Sequence, residues 1–453
     1  MDANKTEKTE AWWSNSLAYS ARSDVGMKRR NNQDSFSANL APSPRVWRSR
    51  GHVFVVADGM GAHKAGELAS KLAATEAPQS YLKHTTTPPT EAIRNALLEA
   101  HEIIRKRGES DPSFRDMGTT CDMLALAPGV GYIGHVGDSR VYRLRDHVVE
   151  QMTFDHSLVW EVKFFPQSHS SYRQLDNIPK NIITRSLGPT ENLNVDVEGP
   201  FETRPGDTFL MCSDGLSGRV EDAEIGQILE LFSPEDATEA LVNLANLRGG
   251  PDNCTVVVAR VLSNEAPADA EDAKAARAYE KRPPLSIAAW AFLALTAIFG
   301  ILATIFLICR FWSGGFGALG VAVVSLAAFL CVAAPTLFGV KKKDAPTERL
   351  GKGPYARASA VPCAAFCDYL EETCEQLCSR MRNDPNVEPD WDGLNRARTL
   401  AVQARERNDY AGAIRANICV VNYIMREVRK YVELVKRTRS HQAAQASPSE
   451  ADI

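Results

Sequence analysis

The pattern of apolar and polar positions changes character along the chain. Up to about residue 262 the apolar positions come in short runs that end or begin at an aspartate. His52-Val-Phe-Val-Val-Ala leads into Asp58-Gly59, and Asp207-Thr-Phe-Leu-Met-Cys-Ser leads into Asp214-Gly215. Two extended segments bracket Asp138, and Gly250-Pro-Asp252-Asn precedes Cys-Thr-Val-Val-Val. Short runs of this kind, rich in β-branched residues and bounded by turn formers, predict an antiparallel sheet architecture. Residues 65–77 and 90–106 repeat at helical spacing instead. Strands with segregated helices predict α+β packing.

Two long uncharged runs follow, at 285–309 and 316–340. Each exceeds the ~20 residues with which a helix crosses a bilayer, and a core helix is rarely uncharged on every face over such a length. The connection Arg310-Phe-Trp-Ser-Gly-Gly is short, with Phe311 and Trp312 suited to the outer interface. Lys281 and Arg282 precede the first run, and Lys341, Lys342 and Lys343 follow the second. The positive-inside rule then predicts a hairpin in the inner membrane with both termini in the cytoplasm. The expected partition is a soluble domain at 16–262, a linker at 263–284, the hairpin at 285–340, a juxtamembrane linker at 341–362, a cytoplasmic helical region at 363–440 and a disordered tail at 441–453.

Composition adds little. The 453 residues are 44% hydrophobic and 24% charged, with a formal net charge of -4, which argues against nucleic acid as a partner. The first fifteen residues have no apolar segment of the signal-peptide kind, so the thiols are expected in a reducing cytoplasm.

A single Asp-Gly at a strand end is often only a turn. Asp34, Asp58, Asp138, Asp214 and Asp252 together make a stronger case, because hard divalent cations take oxygen ligands. Gly59 could add its carbonyl, since no side chain blocks approach. A phosphocysteine loop of the Cys-x5-Arg kind is not expected, and Cys212 reads as a small core residue.

The C-terminal region predicts helices. Cys363, Cys367, Cys374 and Cys378 fall on one helix face with Leu370, Leu377 and Met381. Four ligands spread over ~22 Å of one helix cannot converge on one metal, so a packing stripe is the plainer reading, with lipidation of a membrane-proximal cysteine left open. Two amphipathic segments, broken at Asn408-Asp409-Tyr410, resemble a single tetratricopeptide-type pair, which suggests a helical bundle for protein binding or self-association.

The order of the motifs resembles a known family. Gly26-Met-Lys-Arg29-Arg-Asn-Asn32-Gln-Asp34, Asp58-Gly59-Met60-Gly61-Ala62-His63-Lys-Ala-Gly66-Glu67, Met117-Gly118-Thr119-Thr120, Gly137-Asp138-Ser139-Arg140, Asp155-His156-Ser157, Thr184-Arg185-Ser-Leu187-Gly188, Ser213-Asp214-Gly215 and Gly250-Pro-Asp252-Asn253 occur in series over residues 17–262. The set is similar to the PPM family, the type-2C metal-dependent protein serine/threonine phosphatases, in their bacterial form.

That resemblance implies two stacked antiparallel β-sheets flanked by helices, an αββα sandwich, holding two divalent cations, Mn²⁺ or Mg²⁺. It implies that Asp58 bridges the ions, that Asp34 and the Gly59 carbonyl serve one and that Asp214 and Asp252 serve the other. Asp138 would serve a weaker third ion, and Arg29 would grip the substrate phosphate. A water activated by the ions would attack phosphoserine or phosphothreonine. The expected partners are phosphoproteins, among them a serine/threonine kinase, and membrane lipid around the two spans. Three departures stand out. Ala62 replaces a usual glycine. Met60 stands where eukaryotic relatives have a histidine, which leaves His63 or metal-bound water as general acid. The flap segment 160–181 diverges, with Ile178-Pro179 where His-Pro is expected. The competing readings are a pseudophosphatase and a regulatory protein whose helical C-terminus does the main work.

Overall fold

The computed structural model describes residues 14–61, 64–84, 86–165, 179, 182–264, 287–308, 319, 323–326, 350–383 and 389–446. They fall into two compact units. One joins Met1–Ala266 with Leu350–Ile453, and the other is Pro267–Arg349.

In the first unit the short apolar runs become two antiparallel sheets. One carries, in spatial order, β1 (Leu17–Asp24), β11 (Cys254–Val261), β10 (Thr208–Cys212), β7 (Arg140–Arg145), β8 (Val148–Gln151) and β12 (Ala356–Ser359). The other carries β2 (Asp34–Asn39), β3 (His52–Met60), β5 (Cys121–Ala127), β6 (Val130–Val136) and β9 (Asp196–Glu202), with β4 (Gly118–Thr119) paired to the end of β3.

Alternation along each central strand explains why these runs are apolar throughout. In β3, Phe54 and Val56 enter the cluster between the sheets, while Val53, Val55 and Ala57 face the helices α2 (Ala65–Lys83) and α3 (Pro89–Ser110). In β11, Val257 and Ala259 face inward, while Val256 and Val258 face α6 (Asp222–Leu231) and α7 (Pro234–Leu247). Phe201 and Phe209 meet across the sandwich with ring centroids 5.9 Å apart. Each such buried side chain contributes roughly 1.5–3 kcal/mol. The helices begin where local chemistry allows: Ser233 caps α7 by accepting from Asp236 N, with Pro234 in its first turn. Helix α2 outruns its expected end, passing through Pro78 to Lys83.

The sequence reading ended this domain at 262 and set 363–440 apart. The structure instead returns the chain to the same unit from Leu350 onward. The expected juxtamembrane linker contains β12, which extends the first sheet beside β8. The helices at Ala364–Arg382 and Tyr410–Ala446 then pack on α6 and α7, and the helix at Trp391–Glu406 packs on the Tyr410–Ala446 helix. The physical reason is apolar area: Phe366, Cys367, Leu370, Ile414 and Ile418 are buried in the same cluster as Ile225, Leu241 and Val256. The final helix runs to Ala446, into the segment expected as a disordered tail, and 447–453 lie outside the described residues.

Cys367 joins that shared cluster. Cys374 and Cys378 join a second one with Leu394, Val421 and Ile424. Burial pushes the Cys367 thiol up to about 11 and the Cys374 thiol up to about 12, so both stay protonated as apolar packing groups.

Among its described residues the second unit contains an uncharged helix, Ile287–Ile308, in place of the first long run. Its side chains are described only in part. The second run is described only at 319 and 323–326, and most of the linker 263–284 lies outside the described residues. Among the residues whose side chains are described, no helix is long and apolar enough to cross a membrane.

Candidate active site

The carboxylates expected from sequence come from the ends of both sheets. Asp34 opens β2 and is the direct cross-strand partner of Asp58 in β3. Asp138 lies between β6 and β7, Asp214 follows β10, and Asp252 precedes β11. They converge on Asp58: burial raises its pKa well above the carboxylate range, and Asp34, Asp214, Asp138 and Asp252 each push it further. Burial holds Asp34 at about 7 against the pull of its hydroxyl partners, and Asp138 is also pushed up to about 7, first by burial and then by Asp214. Asp214 is raised by burial and by Asp252.

The surrounding residues hold this arrangement. Ser213 Oγ donates to Asp34 Oδ2 at 2.7 Å and accepts from Thr255 N at 3.0 Å, which ties the two sheets together. Thr120 Oγ1 accepts from Asp58 N at 2.9 Å and bonds Ser139 Oγ at 2.8 Å. Thr119 Oγ1 donates to the Asp58 carbonyl at 2.9 Å. Gly59 donates its N–H to the Gln33 carbonyl at 3.1 Å. A Cβ at Gly59 would stand 2.1 Å from the Gly66 carbonyl oxygen, so only glycine lets α2 approach the end of β3.

Arg29 is half exposed at the rim. Its Nη2 donates to Asp252 Oδ2 at 2.7 Å. Asn253, to which the motif order assigns no role, is buried and binds the arginine loop from beneath. Its Oδ1 accepts from Gln33 N at 2.8 Å, and its Nδ2 donates to the carbonyls of Val25 and Asn31, both at 3.0 Å. Ser213 was equally unassigned. The signal for both was a hydrogen-bonding side chain beside a site aspartate.

The donor set suits hard divalent cations. Asp34 Oδ1, Asp138 Oδ1 and Asp214 Oδ1 are buried and have no hydrogen-bond partner among the described residues, a costly state that an ion among them would relieve. Among the described residues no three His, Cys, Asp or Glu side chains are drawn close enough to hold an ion by themselves. Mutual repulsion works against such closeness, and Mg²⁺-type ions keep several waters in any case. His63 and most of the flap, 166–178 and 180–181, lie outside the described residues. Cys-x5-Arg spacing does occur, at Cys254 to Arg260 and Cys374 to Arg380, but the first pair lies on strand β11 and the second on a helix. Burial pushes the Cys254 thiol far up, so it supplies no thiolate.

Comparison with known proteins gives a consistent picture. The family model described as protein phosphatase 2C matches residues 28–247. The protein phosphatase PhpP of Streptococcus pneumoniae is 35% identical over 258 residues, which cover 55% of this chain and 100% of that protein. The serine/threonine protein phosphatase PstP of Mycobacterium tuberculosis is 34% identical over 255 residues, 54% of this chain and 45% of that one. A crystal structure of the M. tuberculosis phosphatase PstP/Ppp is similar at 33% identity, covering 54% of this chain and 99% of that one, with a TM-score of 0.46.

Proposed function

This chain belongs to the protein phosphatase 2C family and is a protein serine/threonine phosphatase; from that premise we propose that it removes phosphate from phosphoserine and phosphothreonine using two divalent cations held by Asp34, Asp58, Asp214, Asp252 and the Gly59 carbonyl. The observation that carries the proposal is the set of three buried carboxylate oxygens, on Asp34, Asp138 and Asp214, that have no hydrogen-bond partner among the described residues, each on a carboxylate whose charge raises the Asp58 pKa.

Asp138 would take a third, weaker ion. Bound cations would lower the pKa of an attacking water and neutralise charge on the phosphoryl oxygens. The chain's own residues do the rest. Arg29 offers a planar pair of N–H donors to the phosphate once Asp252 turns to a cation. Ser213, Thr119 and Thr120 hold Asp34 and the Asp58 backbone in place, so little reorganisation is needed at the moment of reaction. The ring of oxygen donors suits Mn²⁺ or Mg²⁺.

The uncharged runs at 285–309 and 316–340, with their basic flanks, support attachment to the inner membrane as a hairpin with both termini in the cytoplasm. Confinement there would raise the local concentration near membrane-bound phosphoproteins, such as a serine/threonine kinase that this enzyme would oppose.

The test uses the full chain with p-nitrophenyl phosphate and a phosphothreonine peptide, in Mn²⁺, in Mg²⁺ and in EDTA. Turnover of both substrates that EDTA abolishes and Mn²⁺ restores is the expected result. A folded, ion-loaded protein without turnover would overturn the proposal.

A further inference from the structure

We propose that the last helix, α11 (Tyr410–Ala446), positions the phosphate-gripping rim of the active site, with Arg429 as the positioning residue that reaches it. The inference rests on the reading of Arg29 as the phosphate ligand.

The helix lies along α7 and is held there by polar contacts. Arg426 donates twice to Glu239, at 2.8 and 2.6 Å, and Asn243 Nδ2 donates to Asn422 Oδ1 at 2.8 Å. Arg429 goes further. Its Nη2 donates to Asn243 Oδ1, and its Nε stands 3.6 Å from Asp24 Oδ2. Asp24 ends β1 and is already a junction: its Oδ1 accepts from Gly26 N at 2.9 Å and from the buried Asn246 Nδ2 at 3.1 Å.

The turn after Asp24 has no slack. Gly26 has φ +78°, and a Cβ there would stand 2.2 Å from the Asp252 carbonyl oxygen. Met27 N donates to the Gly250 carbonyl at 2.8 Å. Two residues later Arg29 meets Asp252. A C-terminal side chain thus fixes the carboxylate that fixes the turn carrying Arg29, opposite the loop carrying Asp252. Holding that turn spares the arginine part of the ordering cost it would otherwise meet on binding phosphate.

Arg426 separates positioning from mere docking. It secures the same helix, but its contacts end on Glu239 and, through Glu239, on Arg22 within β1 at 3.8 Å. Both Arg426→Ala and Arg429→Ala remove one attachment of the helix. Only the second removes a partner of Asp24.

The experiment compares full-length Arg429→Ala, Arg429→Lys, Arg426→Ala, Asp24→Asn and Arg429→Ala/Asp24→Asn on a phosphothreonine peptide, with hydrogen exchange of residues 26–30. Arg429→Ala is expected to raise KM about three- to ten-fold with kcat within about two-fold, because coupled polar pairs differ by this order. Asp24→Asn should match it, the double variant should be no worse than either, Arg429→Lys should recover part of the loss, and amides 26–30 should exchange faster in Arg429→Ala. Arg426→Ala should lower Tm comparably while leaving KM alone. Wild-type exchange at 26–30 in Arg429→Ala, or an equal KM change in Arg426→Ala, would overturn the proposal. Faster exchange with unchanged KM would support the coupling and overturn the role given to Arg29.

Discussion

Asp34 and Asp58 face each other directly across two antiparallel strands, so the backbone itself holds two carboxylates where like charges cost most. The relationship makes a prediction about stability. Without divalent cations Asp34 titrates at about 7 when folded, and Asp138 at about 7 as well, against about 4 when unfolded. The folded state therefore holds more protons between these values. Stability of the EDTA-treated protein is greatest below about pH 4 as far as these groups are concerned and is lost as pH rises through 7. Thermal melts from pH 5 to 8 should show Tm falling with pH in EDTA, and Mn²⁺ should raise Tm most at the alkaline end. The cause is burial first and the neighbouring carboxylates second, and a flat profile in EDTA would remove both.

Ser213 joins Asp34 of one sheet to Thr255 of the other. Ser213→Ala leaves a buried carboxylate oxygen and a backbone N–H without their partner, a loss of roughly 1–3 kcal/mol. Chemical denaturation of the full chain should show this loss together with reduced turnover, since Asp34 is no longer held. Wild-type turnover would mean that Asp34 orientation does not matter.

Residues 1–265 alone should be a poor protein. The C-terminal helices bury Phe366, Leu370, Ile414 and Ile418 against α6, α7 and the first sheet. Removing them exposes the face formed by Ile225, Leu241 and their neighbours, an apolar patch of the kind that drives association. Size-exclusion chromatography should show aggregation of the truncated domain and a monodisperse full chain. A stable, monodisperse truncation would show that the helices are dispensable for the fold.

Much of this architecture was legible beforehand, for identifiable reasons. Strands such as β3 and β11 announce themselves because both faces are buried, which leaves continuous Val-rich runs ending at Asp58 or starting after Asp252. The return of the chain to the first sheet was not legible. Strand β12 is Ala-Arg-Ala-Ser, too short and too polar to show a period, and its position is fixed by pairing with β8 rather than by its own composition. The attachment of the C-terminal helices was hidden for a related reason: their amphipathic pattern declares an apolar face but not what covers it. Asp58, Asp138 and Asp214 were readable from their place beside glycines, and Asp34 and Asp252 from the order of the motifs. Ser213 and Asn253, which act through hydrogen bonds made only in the folded chain, were not assigned.

The cysteine stripe gives a further check. Cys374 is buried between helices, and its thiol faces the Asn417 carbonyl at 3.5 Å. Cys374→Ser puts a hydroxyl into that apolar cluster and should cost more than Cys374→Ala, by roughly 1 kcal/mol or more. Melting curves of the two variants decide the order, and Cys374→Ala should bind as many metal ions as the wild type. A metal ion lost in Cys374→Ala would mean that the cysteines hold a metal after all.

The central claim is that the carboxylates hold the ions on which catalysis depends. Its most direct test is Mn²⁺ binding by calorimetry on full-length wild type and Asp214→Asn, read beside phosphothreonine turnover. The wild type should bind at least two ions and lose all turnover in EDTA, while folded Asp214→Asn should bind fewer ions and turn over about 10²-fold more slowly or worse. Undiminished turnover in Asp214→Asn, or wild-type turnover that survives EDTA, would contradict the account.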